Sequence, residues 1–276
     1  MDIYKETSRF YNRVRAEKRV IGTSRLGRKL YAVKVGDGAP VGIALYGIHG
    51  REWIASRLAQ AHFYYGVCGT VWLLPLVNPD GALLSQRGLA SAKNSVHARF
   101  LSAFTDGELK LWKANAAGVD LNVNFDAEWG KGKNNRFRRG GENYVGRFPV
   151  CEPESRAVRD FTLSIAPDYS VAVHTKGEEI YWYFGQSTHT CLRDFTIGKA
   201  LSMATGYPLK LARGSVGGYK DWCVSALKIP AYTVELGDDG FAHPLGAWAY
   251  ENVRDRCGGA LYALSAAVAE YKRNEL

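Results

Sequence analysis

Three short apolar runs constrain this chain more than any other feature: "VGIALYG" at 41–47, "YSVAVHT" at 169–175 and "IPAYTVELG" at 229–237. Each is too short for a stable helix and rich in β-branched and aromatic residues, which reads as a strand in a sheet. Stretches of helical periodicity lie between them, "EWIASRLAQAHFYYG" after the first run and "DFTIGKALSMATG" before the third, with a further strand and turn in "GTVWLLPLVNPDG". A last helix is expected from about Ala247 to Tyr271. Strands that alternate with helices need crossover connections, so the expected fold class is α/β: a mixed, mostly parallel β-sheet flanked by helices on both faces.

The N-terminal part reads as belonging to the same unit. Ile3, Tyr4, Phe10, Tyr11 and Val14 recur at helical spacing, and "RVIGTS" and "KLYAVKVG" flank the turn "RLGR" as a hairpin. No repeat and no Pro- or Ser-rich linker divides the rest. With 276 residues, 46% of them hydrophobic, residues 1–276 are expected to form one domain, with 1–40 integral to it. The stretch from Asn124 to Pro153 breaks the pattern, being rich in Gly, Asn and Arg; an ordered loop of that length points to function.

The opening "MDIYKETSRF" lacks the basic start and apolar run of a signal peptide, and no stretch approaches the roughly 18–20 apolar residues of a membrane span. A cytoplasmic location is therefore expected. Cys68, Cys151, Cys191, Cys223 and Cys257 are scattered, without a Cys-x-x-Cys pair, and are expected to be free thiols. The formal charge of +9 favours anionic partners. Nucleic acid is one class of these, but aromatic residues do not interleave with the basic ones of "KGKNNRFRR" as a stacking platform requires.

In open α/β sheets ligands bind beyond the carboxyl ends of the strands. The three runs end at or near His49, His174 and Glu235. His49 and Glu52, in "GIHGREW", are a local pair of metal donors, and His174 offers a third. Glu235 then stands as general base for a metal-activated water. Simpler readings exist for each: a helix dipole favours Glu52 with no metal at all, and His174 has rival carboxylates nearby in Glu178 and Glu179. Other schemes lack their spacing, since "RGSVGG" around Ser215 is no nucleophile elbow and "GDGAP" precedes a strand. His62, His97, His189 and His243 have no comparable partners.

Taken in order, "GIHGREW", "NPDG", "GVDLNVNFD", "AVHTKGEEIYWYFG", "GGYKDW" and "YTVELGDD" resemble the zinc carboxypeptidase family of metallopeptidases. Its pattern is His-x-x-Glu, a distant His, and a Glu near the end of the chain. The resemblance covers most of the sequence. It implies one zinc ion held by His49, Glu52 and His174, with Glu235 as general base and then proton donor to the leaving amine. The donor set would also suit other divalent ions. The family polarises the scissile carbonyl with a basic residue following a Trp shortly before "GVDLN", which here is Lys113, where an Arg is common. That is a point charge instead of a fork; without the resemblance Lys113 reads as a solvated lysine on a helix face.

The main departure is Val123. Ordinary members read Asn-Arg-Asn, the Arg clamping a peptide's terminal carboxylate, whereas this chain reads Asn122-Val123-Asn124. Arg51, Asn122, Lys176, Arg213 and Lys220 are the expected substrate contacts, Lys220 selecting an acidic group, with Arg136, Arg138 and Arg139 adding positive charge. "GVDLNVNFDAEWG" followed by "HTKGEEIYWYFG" resembles the bacterial branch that cleaves γ-D-glutamyl-diaminopimelate bonds, and Tyr181 and Tyr183 either line its groove or pack in the core. Longer members of that branch carry wall-binding repeats, which have no counterpart here. The expected substrate is thus an acidic, soluble muropeptide inside the cell, as in wall recycling or sporulation; no nucleic-acid, membrane or obligate protein partner is expected. Rival readings are a conventional carboxypeptidase, a nucleic-acid-binding protein, and a zinc-bound but inactive module, the last disfavoured by the presence of Glu235.

Overall fold

The computed structural model describes residues 2–104, 108–212 and 214–274. Helix α1 (Ile3–Arg13) starts at Asp2, whose carboxylate accepts the Lys5 N–H, and buries Ile3, Thr7 and Phe10. The hairpin β1 (Lys18–Thr23) and β2 (Lys29–Gly36) follows, then β3 (Val41–Tyr46), α2 (Ala55–Tyr65), β4 (Thr70–Leu74), α3 (Pro79–Arg87) and α4 (Ser95–Ser102). A long irregular stretch leads to α5 (Pro153–Ile165) and β5 (Tyr169–Thr175). Then come β6 (Glu179–Tyr181), α6 (Thr188–Thr205), β7 (Leu209–Lys210), the short α7 (Tyr219–Trp222), β8 (Ala231–Leu236), α8 (Tyr250–Cys257) and α9 (Ala260–Asn274).

Among the described residues the strands form an eight-stranded sheet in the order β1-β2-β4-β3-β5-β8-β6-β7. The central pairs β4/β3, β3/β5 and β5/β8 are parallel, as is β6/β7; β1/β2, β2/β4 and β8/β6 are antiparallel. Helices cover both faces, as the crossovers require. Ala44 and Tyr46 of β3 join a core built with α2, α6, α8 and α9, while Ile43 and Leu45 of the same strand join one built with α5 and α7. Strands covered on both faces need apolar side chains at successive positions, which explains the near-continuous runs of β3, β5 and β8. Among the described residues no helix is long and apolar enough to cross a membrane. The five cysteines are free thiols.

Element boundaries differ from the sequence expectation in several places, α6 for example starting at Thr188 and not at the Asp194 of "DFTIGKALSMATG". The last helix is broken: a 3-10 turn at Ala247–Ala249 leads into α8, and Gly258 and Gly259 separate α8 from α9. A Cβ on Gly259 would lie 3.0 Å from the Tyr65 ring, so its lack of a side chain lets the chain pass close to the end of α2. The segment after β3 is not yet α2 either. Gly50–Glu52 form a separate 3-10 turn, and the α-helix begins at Ala55.

Asn78 of "NPDG" explains how that turn is held. It is fully buried, caps α3 by accepting the Gly81 N–H, and donates through Nδ2 to the carbonyls of Ile48 and Ala114, each at 3.1 Å. Gly50 N–H in turn donates to Lys113 O at 2.9 Å. One side chain therefore locks the loop carrying His49 and Glu52 onto the segment carrying Lys113. Asn78→Ala removes the cap and orphans two buried carbonyls, so urea unfolding should show a loss of about 2–4 kcal/mol. A loss below about 0.5 kcal/mol, the level of an ordinary surface substitution, would show that Asn78 is no such lock.

Candidate active site

His49 follows β3 and caps the 3-10 turn that bears Glu52, so the two side chains stand side by side, with His49 Nδ1 2.8 Å from Glu52 Oε1. His174 ends the neighbouring strand β5, and its Nδ1 lies 3.0 Å from Glu52 Oε2 and 3.1 Å from His49 Nδ1. All three residues are buried, and their donor atoms lie within 4.8 Å of one another. Donors around a tetrahedral zinc ion at the usual bond length are about 3.4 Å apart, so the spacing, like the two-nitrogen, one-carboxylate donor set, fits a catalytic zinc site.

The electrostatics point the same way. Burial opposes ionisation of Glu52, but the His49 and His174 rings outweigh it and hold the carboxyl well below its usual range. Burial likewise opposes charge on His49, yet Glu52 and Asp120 raise its pKa on balance. Asp120 Oδ1 lies 3.3 Å from His49 Nε2 and its Oδ2 3.0 Å from Lys113 Nζ. Despite its own burial, Asp120 is held well below the usual carboxylate range by Lys113 and His49. Lys113 is thus not a solvated helix-face lysine. It follows a 3-10 turn (Leu109–Leu111), its side chain is 17% exposed, and Asp120 keeps it charged against the penalty of burial.

Glu235 of β8 pairs in register with His174 of β5, which sets the two on the same face of the sheet. Its low-dielectric surroundings push its pKa up to about 8; the Glu52 and Glu179 carboxylates add to the rise, while His174 and Lys113 oppose it. Glu52 and Asp120 are the ionised carboxylates of the site, set against the His49 ring and the Lys113 ammonium, and Glu235 with its raised pKa is a carboxyl that a bound divalent cation would draw back to the ionised form. The rival carboxylates are engaged elsewhere: Glu178 with Arg256 at 2.6 Å, and Glu179 with Lys210 at 2.6 Å and the Tyr181 hydroxyl.

A cavity of about 300 Å³ opens beside Glu235, its polar wall formed by Asn122, Tyr181, Ser215, Lys220 and Asp221. Of the expected substrate contacts, Asn122 and Lys220 line it. Asn122 Oδ1 accepts the Tyr219 N–H. Lys220 is not a free cation, because its Nζ lies 2.6 Å from Asp221 Oδ1 and donates to Tyr183 O at 2.9 Å. Lys176 is turned to Asp239, 2.8 Å from its carboxylate, and Arg51 lies 3.5 Å from Glu142; neither is in the cavity wall. Arg213 lies outside the described residues. Arg139 is bound to Ala117 O and set over the Phe100 and Tyr144 rings, a structural role.

Tyr181 lines the cavity, whereas Tyr183 is only half-buried beside the core. His62 is a core residue, bonded to the Tyr46 hydroxyl and Cys257 O, with its pKa pushed down to about 4 by burial. His243, set aside in the sequence, lies near enough to Arg51 and Glu52 to feel their charges, and burial pushes it down to about 4. Asp120 and Asp221 were missed as well, though both stand inside stretches that carry the resemblance, "GVDLN" and "GGYKDW".

An α/β sheet that gathers a His-Glu-His donor set and a free carboxylate at its strand ends defines a metal-dependent hydrolase site. The chain belongs to the zinc carboxypeptidase family, whose model matches residues 7–249. Zinc is that family's metal, and His49, Glu52 and His174 are the described residues that could hold it. Among relatives, gamma-D-glutamyl-L-diamino acid endopeptidase 1 of Lysinibacillus sphaericus is 28% identical over 241 residues, 79% of this chain and 59% of the relative. The chain thus spans less than two thirds of that protein's length. Carboxypeptidase B of Rattus norvegicus is 26% identical over 291 residues, 93% of this chain and 66% of the relative. Bovine thrombin-activatable fibrinolysis inhibitor, solved with tick carboxypeptidase inhibitor, shares the fold with a TM-score of 0.75 at 22% identity, over 98% of this chain and 95% of that one.

A raised His49 pKa means that the metal-free site keeps a proton at pH values where an ordinary imidazole has lost it, and zinc must displace that proton. Zinc affinity, measured by competition with a chelator, should therefore fall by up to about tenfold per pH unit below the His49 pKa. Affinity that stays constant between pH 8 and pH 5 would contradict the ligand set.

Proposed function

We propose that this chain is a zinc-dependent peptidase that hydrolyses the amide bond between γ-D-glutamate and meso-diaminopimelate in soluble cell-wall peptides. The observation that carries the reading is Val123. It is 8% exposed, its backbone packs against Gly217, and its apolar side chain stands at the position where the family's Arg would clamp a terminal carboxylate. Asn122, next to it, lines the cavity, so the position belongs to the substrate region. The relationship to an endopeptidase named for γ-D-glutamyl-L-diamino acids supports the same substrate class.

In this reading His49, Glu52 and His174 would hold zinc, which supplies Lewis acidity to the scissile carbonyl and eases deprotonation of water. Glu235 takes a proton from the attacking water as its oxygen bonds to the carbonyl carbon. It returns that proton to the nitrogen as the carbon–nitrogen bond breaks, so the amine leaves neutral. The Lys113 ammonium, steadied by Asp120, supplies positive charge to the oxyanion that develops. Asp120 also faces the far nitrogen of the His49 ring at 3.3 Å, where its charge favours a proton on that nitrogen.

Mass spectrometry after incubation of the zinc-loaded protein with L-Ala-γ-D-Glu-meso-diaminopimelate should show L-Ala-D-Glu, with no release from an ordinary peptide ending in an L-residue. Cleavage of the ordinary peptide alone would instead assign a conventional carboxypeptidase, the activity named for the relative from rat.

Two substitutions test the assigned roles. Glu235→Gln should keep wild-type zinc content and lose about 10²- to 10⁴-fold in kcat, whereas Lys113→Met should lose about 10²- to 10³-fold. Full turnover by Glu235→Gln would refute the base assignment.

A further inference from the structure

The sequence expectation for Lys220 was a lone cation selecting an acidic group, and the structure replaces it with an ion pair. Lys220 and Asp221 are 6% and 4% exposed, yet both contribute to the wall of the cavity that also reaches Glu235. Lys220 Nζ lies 2.6 Å from Asp221 Oδ1 and donates to Tyr183 O, with the Phe184 ring 5.5 Å away. Asp221 Oδ2 accepts the Gly218 N–H at 3.1 Å. An ammonium has three protons and a carboxylate about four acceptor positions. After these bonds Lys220 still has one donor and Asp221 about two acceptor positions to offer.

We propose that the Lys220–Asp221 pair reads a zwitterion: an ammonium and a carboxylate on one carbon at the far end of the residue that leaves with the amine. This rests on the reading above and names what the pocket recognises in a diamino-acid residue. The ligand's carboxylate approaches Lys220 and its ammonium approaches Asp221, so four charges alternate in sign and each protein group gains a partner without losing its first. A side chain ending in a carboxylate alone sets like charge against Asp221. One ending in an ammonium alone sets like charge against Lys220. Each mismatch also leaves one buried group without a new partner, so the pair discriminates by repulsion as well as attraction. The pocket thereby tells meso-diaminopimelate from lysine, which lacks the carboxylate, and from aminopimelate, which lacks the ammonium.

Binding isolates this from turnover. Calorimetry on the zinc-loaded full chain would use three ligands acetylated on the near α-nitrogen, so that only the far end differs: Nα-acetyl-meso-diaminopimelate, Nα-acetyl-L-lysine and Nα-acetyl-L-2-aminopimelate. The first should bind about tenfold or more tightly than either of the others. In Lys220→Met, which keeps most of the stem volume, Asp221 is left without its cation, and the acetyl-lysine should become the tightest ligand of the three. Affinities within twofold in the wild type, or no binding of the zwitterionic ligand at millimolar concentration, overturn the proposal whether or not the variant folds. Turnover of the γ-D-glutamyl tripeptide without this binding preference removes the pocket assignment and leaves the proposed function standing. The preference without turnover does the reverse.

Discussion

The structure depends on one buried carboxylate. Glu52, 3% exposed, sits between two imidazoles, and it stays ionised there only because both rings reach it. That requirement fixes what lies around it. His49 and His174 must come from adjacent strand ends, which the parallel β3/β5 pair supplies. The 3-10 turn must present Glu52 beside His49, and the turn is fixed by Asn78 and by the Gly50 bond to Lys113 O. A Cβ on Gly50 would lie 2.5 Å from Gly81 O and 2.7 Å from Trp112 O, so the turn sits tightly between α3 and the Lys113 segment. The candidate metal donors and Lys113 thus share one backbone scaffold, and neither can shift without the other.

Much of this was legible in the sequence because buried parallel strands leave a strong trace. The runs at β3, β5 and β8 announced both the α/β class and the three strand ends where chemistry gathers. The resemblance then added Lys113, which periodicity alone would have placed on a solvated helix. What escaped was long-range pairing. Nothing local in "GVDLN" shows that Asp120, close to Lys113 in the sequence, also reaches His49, which is far away in the sequence and meets it only through the fold. The same holds for Lys176, whose charge reads as available although Asp239 stands against it in the fold; Lys220 differs, because Asp221 is its immediate neighbour in the sequence. The break at Gly258 and Gly259 was visible as glycines, but its reason, the approach of Tyr65, was not.

The net charge of +9 misdescribes the site for a related reason. Buried or partly buried cations here are matched to carboxylates: Lys113 to Asp120, Lys220 to Asp221, Arg28 to Asp80 and Arg193 to Asp194. A cation taken out of water unpaired would cost several kcal/mol, so the interior charges come as pairs and the excess is left to the surface. In the cavity wall Lys220 and Asp221 cancel, and under the proposal above recognition there turns on the arrangement of charge instead of its sum.

This changes how the loss of the clamp at position 123 should be understood. An Arg that grips a terminal carboxylate selects substrates by where the chain ends. With Val123 apolar and buried, position 123 itself cannot supply that grip, and the described polar wall of the cavity includes Lys220 and Asp221. Under the proposed reading, discrimination moves from the backbone terminus of the departing residue to the far end of its side chain. A diamino acid suits such a pocket because that far end carries a second pair of charges. The backbone carboxylate is then free of any required partner, and a substrate extended beyond that point loses no contact that the pocket itself provides.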